Sequence, residues 1–193
     1  MPTHAAPNDP LDAALQIASA FEDARISYAL GGALAYGLWA VPRATVDVDV
    51  NVFVGEDALD LVFRTLDSLG VRIDTSAARA QNARDGMFVG QWGLFRIDVF
   101  TPSIEFSWEA ERTRTRHRVG EREAWFLSAE TIAVFKLLFF RTKDLADLER
   151  LVALRTELDV AWVRSRIVSM MGEGDERVTA WDRIVGATRS AAP

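Results

Sequence analysis

Two aspartates one residue apart, Asp47 and Asp49, are the residues whose type and spacing most clearly indicate chemistry. They lie in the run VDVDVNVFV, where alternation places them on one face of a predicted strand and the valines from Val46 to Val54 on the other. At roughly 3.3 Å of rise per residue, the two side chains leave the strand about 6.6 Å apart. Neighbouring carboxylates repel each other, and a hard cation such as Mg²⁺ relieves that repulsion. The pair predicts a divalent metal site; the simpler alternative is a solvated sheet surface.

A glycine pair, Gly31 and Gly32, precedes this strand. It follows an apolar strand, Ile26 to Leu30, and opens a short helix of small residues. A turn without side chains lets backbone N–H groups approach a phosphate, and the positive end of the helix dipole favours the negative charge. The alternative is an ordinary tight turn.

A third aspartate, Asp98, lies in the second half of MFVGQWGLFRIDVF, which predicts a hairpin around Gln91-Trp92-Gly93. Aspartate is disfavoured inside strands, so Asp98 is either an edge or salt-bridged residue, with Arg96 as the partner, or a metal ligand. The upstream aspartate pair favours the ligand.

Further along, Lys136 interrupts the apolar run TIAVFKLLFF. An ammonium group there must reach solvent or pair with a carboxylate or phosphate. With Arg141, Lys143, Asp144 and Asp147 it forms a charged cluster, either on one unbroken helix or on two helices with Thr142 capping the second.

An arginine row alternates with threonine and histidine after residue 111. If this segment is a strand, four arginines share one face, and that face is either a solvated surface or a track for a nucleic-acid acceptor. The four residues are Arg112, Arg114, Arg116 and Arg118.

The surrounding pattern alternates between strand and helix signals. It predicts a packing helix over 11–24 and a crossover helix over 56–69, a loop or edge segment over 75–85, and helices from Ser128 onward. We therefore predict an α/β (α+β) fold, a mixed sheet flanked by helices, with a core at 1–125 and a C-terminal helical region at 126–193 packed on it.

Composition limits the classes of function. The chain has 193 residues, 49% hydrophobic and 26% charged, no cysteine, and a net charge of −6. No basic region followed by an apolar run opens the sequence, so we expect no signal peptide, no membrane partner and a cytoplasmic location, which the absence of cysteine suits. The negative charge argues against broad binding to nucleic acid.

The order strand, Gly-Gly, short helix, Asp-x-Asp strand resembles the nucleotidyltransferase fold of the polymerase-beta-like superfamily. The resemblance implies that Gly31 and Gly32 approach phosphates and that Asp47 and Asp49 are catalytic metal ligands, with Asp98 as the third carboxylate. Many members have serine where this chain has Gly32, although Gly-Gly is also a family variant.

The C-terminal cluster resembles a motif of abortive-infection (AbiEii-like) nucleotidyltransferases, a group that contains toxins of toxin–antitoxin systems and much longer chains. The matching pattern is a lysine, an arginine five residues on, then Lys-Asp-x-x-Asp. It implies that Lys136, Arg141 and Lys143 neutralise a triphosphate, while Asp144 and Asp147 orient those cations or the nucleotide.

These resemblances imply a nucleotidyltransferase that uses two Mg²⁺ ions, with Mn²⁺ as a substitute. It would move a nucleoside monophosphate from a nucleoside triphosphate to a hydroxyl of RNA, tRNA or protein, with a cognate antitoxin or toxin as partner. Two alternatives stay open: a catalytically silent nucleotide- or partner-binding module resembling an antitoxin, and a metal-dependent phosphohydrolase with water as acceptor.

Overall fold

The computed structural model describes residues 6–190 and confirms an α/β fold with a mixed sheet. The six strands of that range are Tyr28–Leu30 (β1), Asp47–Val52 (β2), Met87–Trp92 (β3), Phe95–Phe100 (β4), Thr115–Val119 (β5) and Arg122–Phe126 (β6). Its nine α-helices are Pro10–Asp23 (α1), Gly32–Trp39 (α2), Leu59–Ser68 (α3), Thr75–Asp85 (α4), Glu105–Thr113 (α5), Ala129–Phe139 (α6), Thr142–Leu154 (α7), Val160–Met171 (α8) and Glu176–Ser190 (α9). None of the described helices is long and apolar enough to cross a membrane.

The strand order, β3-β4-β2-β1-β6-β5, places the two aspartate-bearing strands side by side inside the sheet. Strand β2 runs parallel to β4 and antiparallel to β1, and β1 runs parallel to β6. The hairpins β3–β4 and β5–β6 complete the two ends. The predicted hairpin around Gln91-Trp92-Gly93 is confirmed as the β3–β4 turn.

Alternation along β2 and β4 separates a core face from an outer face. Val48, Val50 and Val52 are fully buried, whereas the residues between them are half-buried. Helix α1 packs against β1, β2 and β6, and it begins at Asp9, whose side chain accepts a hydrogen bond from the Asp12 N–H at 2.8 Å. Val46 differs from its predicted position, since it precedes the strand and is 64% exposed.

The chain divides into two compact units. One takes in the chain up to Ala35 together with Arg43–Leu127; the other takes in Tyr36–Pro42 and the chain from Ser128 onward. Helix α2 therefore begins in the first unit and ends in the second. The sequence pattern assigned Tyr36–Pro42 to the core because nothing local marks a change of unit within a short helix.

The second unit holds the end of α2 through its backbone. Arg155 donates hydrogen bonds to the carbonyl oxygens of Trp39 and Leu38 at 2.9 and 3.2 Å, and these carbonyls lie at the helix end, where no further turn can pair with them. The Arg155 guanidinium also stacks over the Trp39 ring at 5.1 Å. A cation at a helix C-terminus is further favoured by the helix dipole.

Two helices, not one, carry the charged cluster. Ser128 caps α6 as predicted and accepts a hydrogen bond from the Thr131 N–H at 3.2 Å. Helix α6 ends at Phe140, whose left-handed backbone (φ 53°) stops the α-helix. Thr142 is the first residue of α7 and Arg141 precedes it, so the cap lies one residue earlier than predicted.

The segment predicted as a loop or edge, 75–85, is helix α4. Asp74 caps it by accepting a hydrogen bond from the Ala77 N–H at 3.0 Å, and it ends at Gly86 with φ 66°. Among its residues Ala78 is the buried one, so the sequence shows no apolar stripe. The prediction was wrong because the helix is specified by its cap and its alanines.

Candidate active site

The parallel pairing of β2 and β4 brings the predicted metal ligands of the first unit onto one face. Asp49 and Asp98 are direct Cα partners, and Asp47 is the partner of Arg96. Residues paired across neighbouring strands point to the same side, and these four alternate with buried valine and isoleucine. We call Asp47, Asp49, Asp98 and Arg96 the carboxylate face.

Arg96 lies among the three carboxylates. The Arg96 Nε donates to Asp98 Oδ1 at 2.7 Å, with 52% of the arginine side chain and 15% of the aspartate side chain exposed. The hydrogen bond and charge of Asp98, and then the charges of Asp47 and Asp49, hold the pKa of the Arg96 guanidinium above its ordinary value. Asp98 is therefore salt-bridged to Arg96 in this structure, as one of the two alternatives from the sequence states. The role of Asp98 as a metal ligand stays a prediction.

The glycine turn lies directly against Asp49. The Gly31 N–H donates to the Asp49 backbone oxygen at 2.8 Å, which leaves this N–H occupied within the fold. Gly32 has φ 53°, and a Cβ at that position would overlap the Asp49 carboxyl group. Only a residue without a side chain allows this approach of backbone and carboxylate.

The donor chemistry of the carboxylate face fits a hard divalent cation. Asp47, Asp49 and Asp98 offer carboxylate oxygens, the ligands that Mg²⁺ takes from proteins. Within residues 6–190, however, no group of three or more His, Cys, Asp or Glu side chains is arranged to hold a metal ion. In this conformation one carboxylate oxygen of Asp98 is directed to the Arg96 guanidinium.

Comparison with solved structures relates the fold to known proteins. The antibiotic-resistance factor ANT(2'')-Ia matches with a TM-score of 0.52 and 16% identity, over 94% of this chain and 93% of that chain. An antigenic nucleotidyltransferase-like protein from Paracoccidioides brasiliensis matches with a TM-score of 0.54 and 18% identity, over 90% and 93%. The chain has a nucleotidyltransferase fold. No protein-family model matches the sequence, and neither does any curated protein.

The structure shows what Gly32 allows at the start of α2. A serine at position 32 would place its Cβ within the present position of Asp49 and would require positive φ. Either the aspartate or the turn would have to move. Gly32 is thus matched to the orientation that Asp49 adopts in this chain.

The second unit contains a buried charge cluster, defined as Lys136, Asp144 and Asp147, and the exposed Arg141 lies at its edge. The Lys136 Nζ lies 2.6 Å from Asp147 Oδ2 and 3.4 Å from Asp144 Oδ1, and the residue is 8% exposed. Arg141 Nε donates to Asp144 Oδ2 at 2.6 Å. Lys136 therefore pairs with carboxylates. Extension of its side chain to solvent, the more usual outcome for a lysine in an apolar helix, does not occur here.

The electrostatics of this cluster are favourable. Burial raises the pKa of the Asp144 carboxyl, but the hydrogen bond from Arg141 and the charges of Lys136 and Arg141 exceed that effect, so the pKa is lowered overall. The centre of the Tyr36 ring lies 5.0 Å from the Lys136 Nζ, and the Tyr36 hydroxyl donates a hydrogen bond to the Asp147 carbonyl oxygen at 3.0 Å. That this cluster contacts a nucleotide stays a prediction. The same holds for Lys143, which is exposed in the first turn of α7.

The arginine row does not share one strand face, and that prediction was wrong. Arg112 belongs to α5 and Arg114 ends it, so only Arg116 and Arg118 lie on β5. Arg114 stacks over Trp125 at 4.7 Å and donates to Ser27 Oγ at 2.7 Å, which fixes it structurally. The apolar positions Phe106 and Ala110 give α5 a buried side, and this pattern outweighs the strand-like alternation that begins within it.

Sequence reasoning missed Tyr36 and treated Arg96 only as a salt-bridge partner. Tyr36 lies in a helix with no clear apolar stripe, and only the fold brings it to Lys136. For Arg96 the sequence did contain the information. Arg96 and Asp98 are two positions apart on one strand, so their side chains point to the same face.

Proposed function

We propose that this chain is a metal-dependent nucleotidyltransferase. An acceptor hydroxyl of RNA, tRNA or protein attacks the α-phosphorus of a nucleoside triphosphate; the new O–P bond replaces the bond to pyrophosphate, and the hydroxyl proton is released. The observation that carries the proposal is the pairing of Asp49 with Asp98 on the carboxylate face, beside the Gly31-Gly32 turn. The fold is compatible with this chemistry. Because one fold can host many reactions, the proposal depends on these side chains.

The residues of the first unit divide the work. Asp47 and Asp49 supply oxygen ligands for Mg²⁺, and Asp98 supplies a further one once it is free of Arg96. A metal held by these carboxylates would neutralise phosphate charge and lower the pKa of the acceptor hydroxyl. Gly32 is exposed at the first position of α2, and helix N-termini bind anions such as phosphate.

A second candidate has a specific observation in its favour. Since Asp98 is paired with Arg96 and the described residues form no three-ligand metal group, the same fold could serve as a catalytically silent nucleotide- or partner-binding module. A role in a toxin–antitoxin system, as toxin or as regulator, rests on the C-terminal motif resemblance alone. The phosphohydrolase alternative uses the same carboxylates with water as acceptor.

The deciding experiment measures transfer and binding together. The protein is incubated with each α-labelled nucleoside triphosphate, Mg²⁺, and RNA or protein from a cell extract, while label transfer and pyrophosphate release are followed. We expect wild type to transfer label and Asp49→Asn to lose transfer by about 10²- to 10³-fold, the scale of an electrostatic contribution to the transition state. Asp67→Asn, an exposed aspartate on α3 of the same unit, is the matched control and should keep wild-type activity.

The outcomes separate the candidates. Binding of nucleotide without transfer to any acceptor favours the silent module. Pyrophosphate formation with label released as free monophosphate favours the phosphohydrolase. Transfer that is as fast in Asp49→Asn as in wild type would show that the carboxylate face is not the site.

A further inference from the structure

The third carboxylate of the carboxylate face is already bound by a residue of the same strand. Arg96 and Asp98 stand two positions apart on β4, and Nε donates to Oδ1 at 2.7 Å. A cation coordinated by this oxygen would draw on the same electron density and so weaken the hydrogen bond from the guanidinium. Metal binding and this ion pair are therefore in competition for one oxygen atom.

Arg96 is placed to interact with the whole carboxylate face. Its Cα partner on β2 is Asp47, and the charges of Asp47 and Asp49 both act on its guanidinium. Three neighbouring carboxylates repel one another, and one arginine among them reduces that repulsion while no metal is bound. Arg96 thus does part of the electrostatic work that a metal would do.

The pair is also easy to separate. More than half of the Arg96 side chain is exposed. Exposed ion pairs change an equilibrium constant by only about fivefold or less, because water screens them and long side chains lose rotamer freedom when they are fixed. The planar guanidinium fork suits phosphate as well as carboxylate, so Arg96 can exchange one for the other.

We propose that Arg96 holds Asp98 in the absence of metal and transfers to a phosphate group of the nucleotide when the metal–nucleotide complex binds. This inference rests on the proposed function and adds a substrate-contacting residue to it. Arg96 competes with free metal but assists metal-bound nucleotide. Its removal therefore has opposite effects on the two ligands, which a purely structural ion pair would not produce.

The test measures binding, not turnover. Mn²⁺ affinity is measured by electron paramagnetic resonance, and affinity for a non-hydrolysable nucleoside triphosphate with saturating Mn²⁺ by calorimetry. We expect Arg96→Gln to bind free Mn²⁺ more tightly by up to about fivefold, the most that the loss of an exposed competing ion pair changes an equilibrium constant. The same variant should bind the Mn²⁺–nucleotide complex at least about tenfold more weakly, as when a charged hydrogen bond is lost.

Two further variants identify the contact. In an Asp98→Asn background, Arg96→Gln should no longer strengthen Mn²⁺ binding, because the contested carboxylate is gone. Arg96→Lys keeps the charge without the fork, so it should retain wild-type Mn²⁺ affinity and lose part of the nucleotide affinity. Arg64→Gln removes an exposed arginine of α3 and is the control for net charge.

The failure of this inference differs from failure of the proposed function. If Arg96→Gln changes neither affinity, or if its gain in Mn²⁺ affinity persists with Asp98→Asn, Arg96 does not compete for Asp98. If wild type binds neither Mn²⁺ nor Mn²⁺–nucleotide, or binds them no better than Asp49→Asn, the proposed function falls and this inference falls with it. Circular dichroism of each variant verifies folding, and Arg96→Lys decides the matter if Arg96→Gln does not fold.

Discussion

The carboxylate face and the buried charge cluster are built from the same residue types and have opposite environments. In the first unit, three aspartates and Arg96 lie half-buried or exposed, and the contact between Arg96 and Asp98 is open to solvent on one side. In the second unit, Lys136 and its two aspartates are almost fully removed from water. Ligand exchange requires the first kind of arrangement, whereas fixed geometry favours the second.

The comparison also shows where charge is balanced. Lys136 satisfies two carboxylates, and Arg141 and Arg150 add further positive charge to Asp144 and Asp147. The carboxylate face has three acidic groups and Arg96. Neighbouring carboxylates at a half-exposed site repel one another, which is costly for folding and useful for binding a cation, so the two regions should respond differently to loss of charge.

The largest effect on stability should come from Lys136→Met. The substitution keeps the apolar stem but leaves Asp147 and Asp144 buried without their shared cation, and breaking a buried pair on one side costs about 3 kcal/mol or more. The unfolding free energy from urea denaturation measures the loss. Lys143→Met, which removes an exposed lysine of α7, should change stability by less than about 0.5 kcal/mol and serves as the control.

If Lys136→Met is as stable as wild type but binds nucleotide more weakly, the cluster is a ligand site and its difference from the carboxylate face disappears. If both stability and nucleotide affinity fall, a second measurement under conditions where the variant is folded is needed to separate them, for example at lower temperature. Equal nucleotide affinity there would leave Lys136 as a structural residue.

A smaller effect should appear in the acid dependence of stability. Because the folded-state pKa of Asp144 is lowered, its charged form stabilises the protein above the unfolded pKa, about 3.9, and this contribution is lost as the pH falls through the folded pKa. The unfolding free energy should therefore decline below about pH 4. Asp144 accounts for at most about 1.4 kcal/mol per pH unit of that slope, the limit for one proton.

Urea titrations between pH 5 and pH 2.5 compare wild type with Asp144→Asn. The variant should be less stable at pH 5, and its decline with acid should be shallower, so that the two curves approach each other. Parallel curves would show that the carboxyl of Asp144 does not titrate differently in the folded and unfolded states.

The sequence predicted the fold well wherever apolar periodicity specified it. The alternating valines of β2 and the buried stripe of α3 identified both elements. The alternation of side chains along β2 and β4 also placed Asp47, Asp49 and Asp98 on an outer face of their strands. Apolar periodicity could not predict that β2 and β4 would be neighbours with Asp49 opposite Asp98, because register between strands distant in sequence is set by the whole sheet. The charge cluster was visible as a group, but its burial depends on the packing of α6, α7 and Tyr36.

The smallest expected effect concerns Asp49, and it has the opposite sign from that of Lys136. Like charges directly opposite each other on neighbouring strands are destabilising, by roughly 0.2 to 1 kcal/mol, and Asp49 is the Cα partner of Asp98. Asp49→Asn keeps the shape and one acceptor oxygen, so in EDTA it should be as stable as wild type or slightly more stable.

Magnesium should reverse that order. A ligand that binds only the folded state stabilises it in proportion to the logarithm of ligand concentration over its dissociation constant, so wild type should gain stability in Mg²⁺ while Asp49→Asn should not. Thermal unfolding in EDTA and in Mg²⁺, with Asp67→Asn as the control that should follow wild type, measures both effects.

If Asp49→Asn is instead destabilised in EDTA by more than about 1 kcal/mol, Asp49 is a structural partner of the Gly31-Gly32 turn, and the carboxylate face resembles the buried charge cluster more than a binding site. If wild type and variant gain equally from Mg²⁺, the ion binds elsewhere; a gain confined to wild type would show that Asp49 is retained for the cation at the expense of stability.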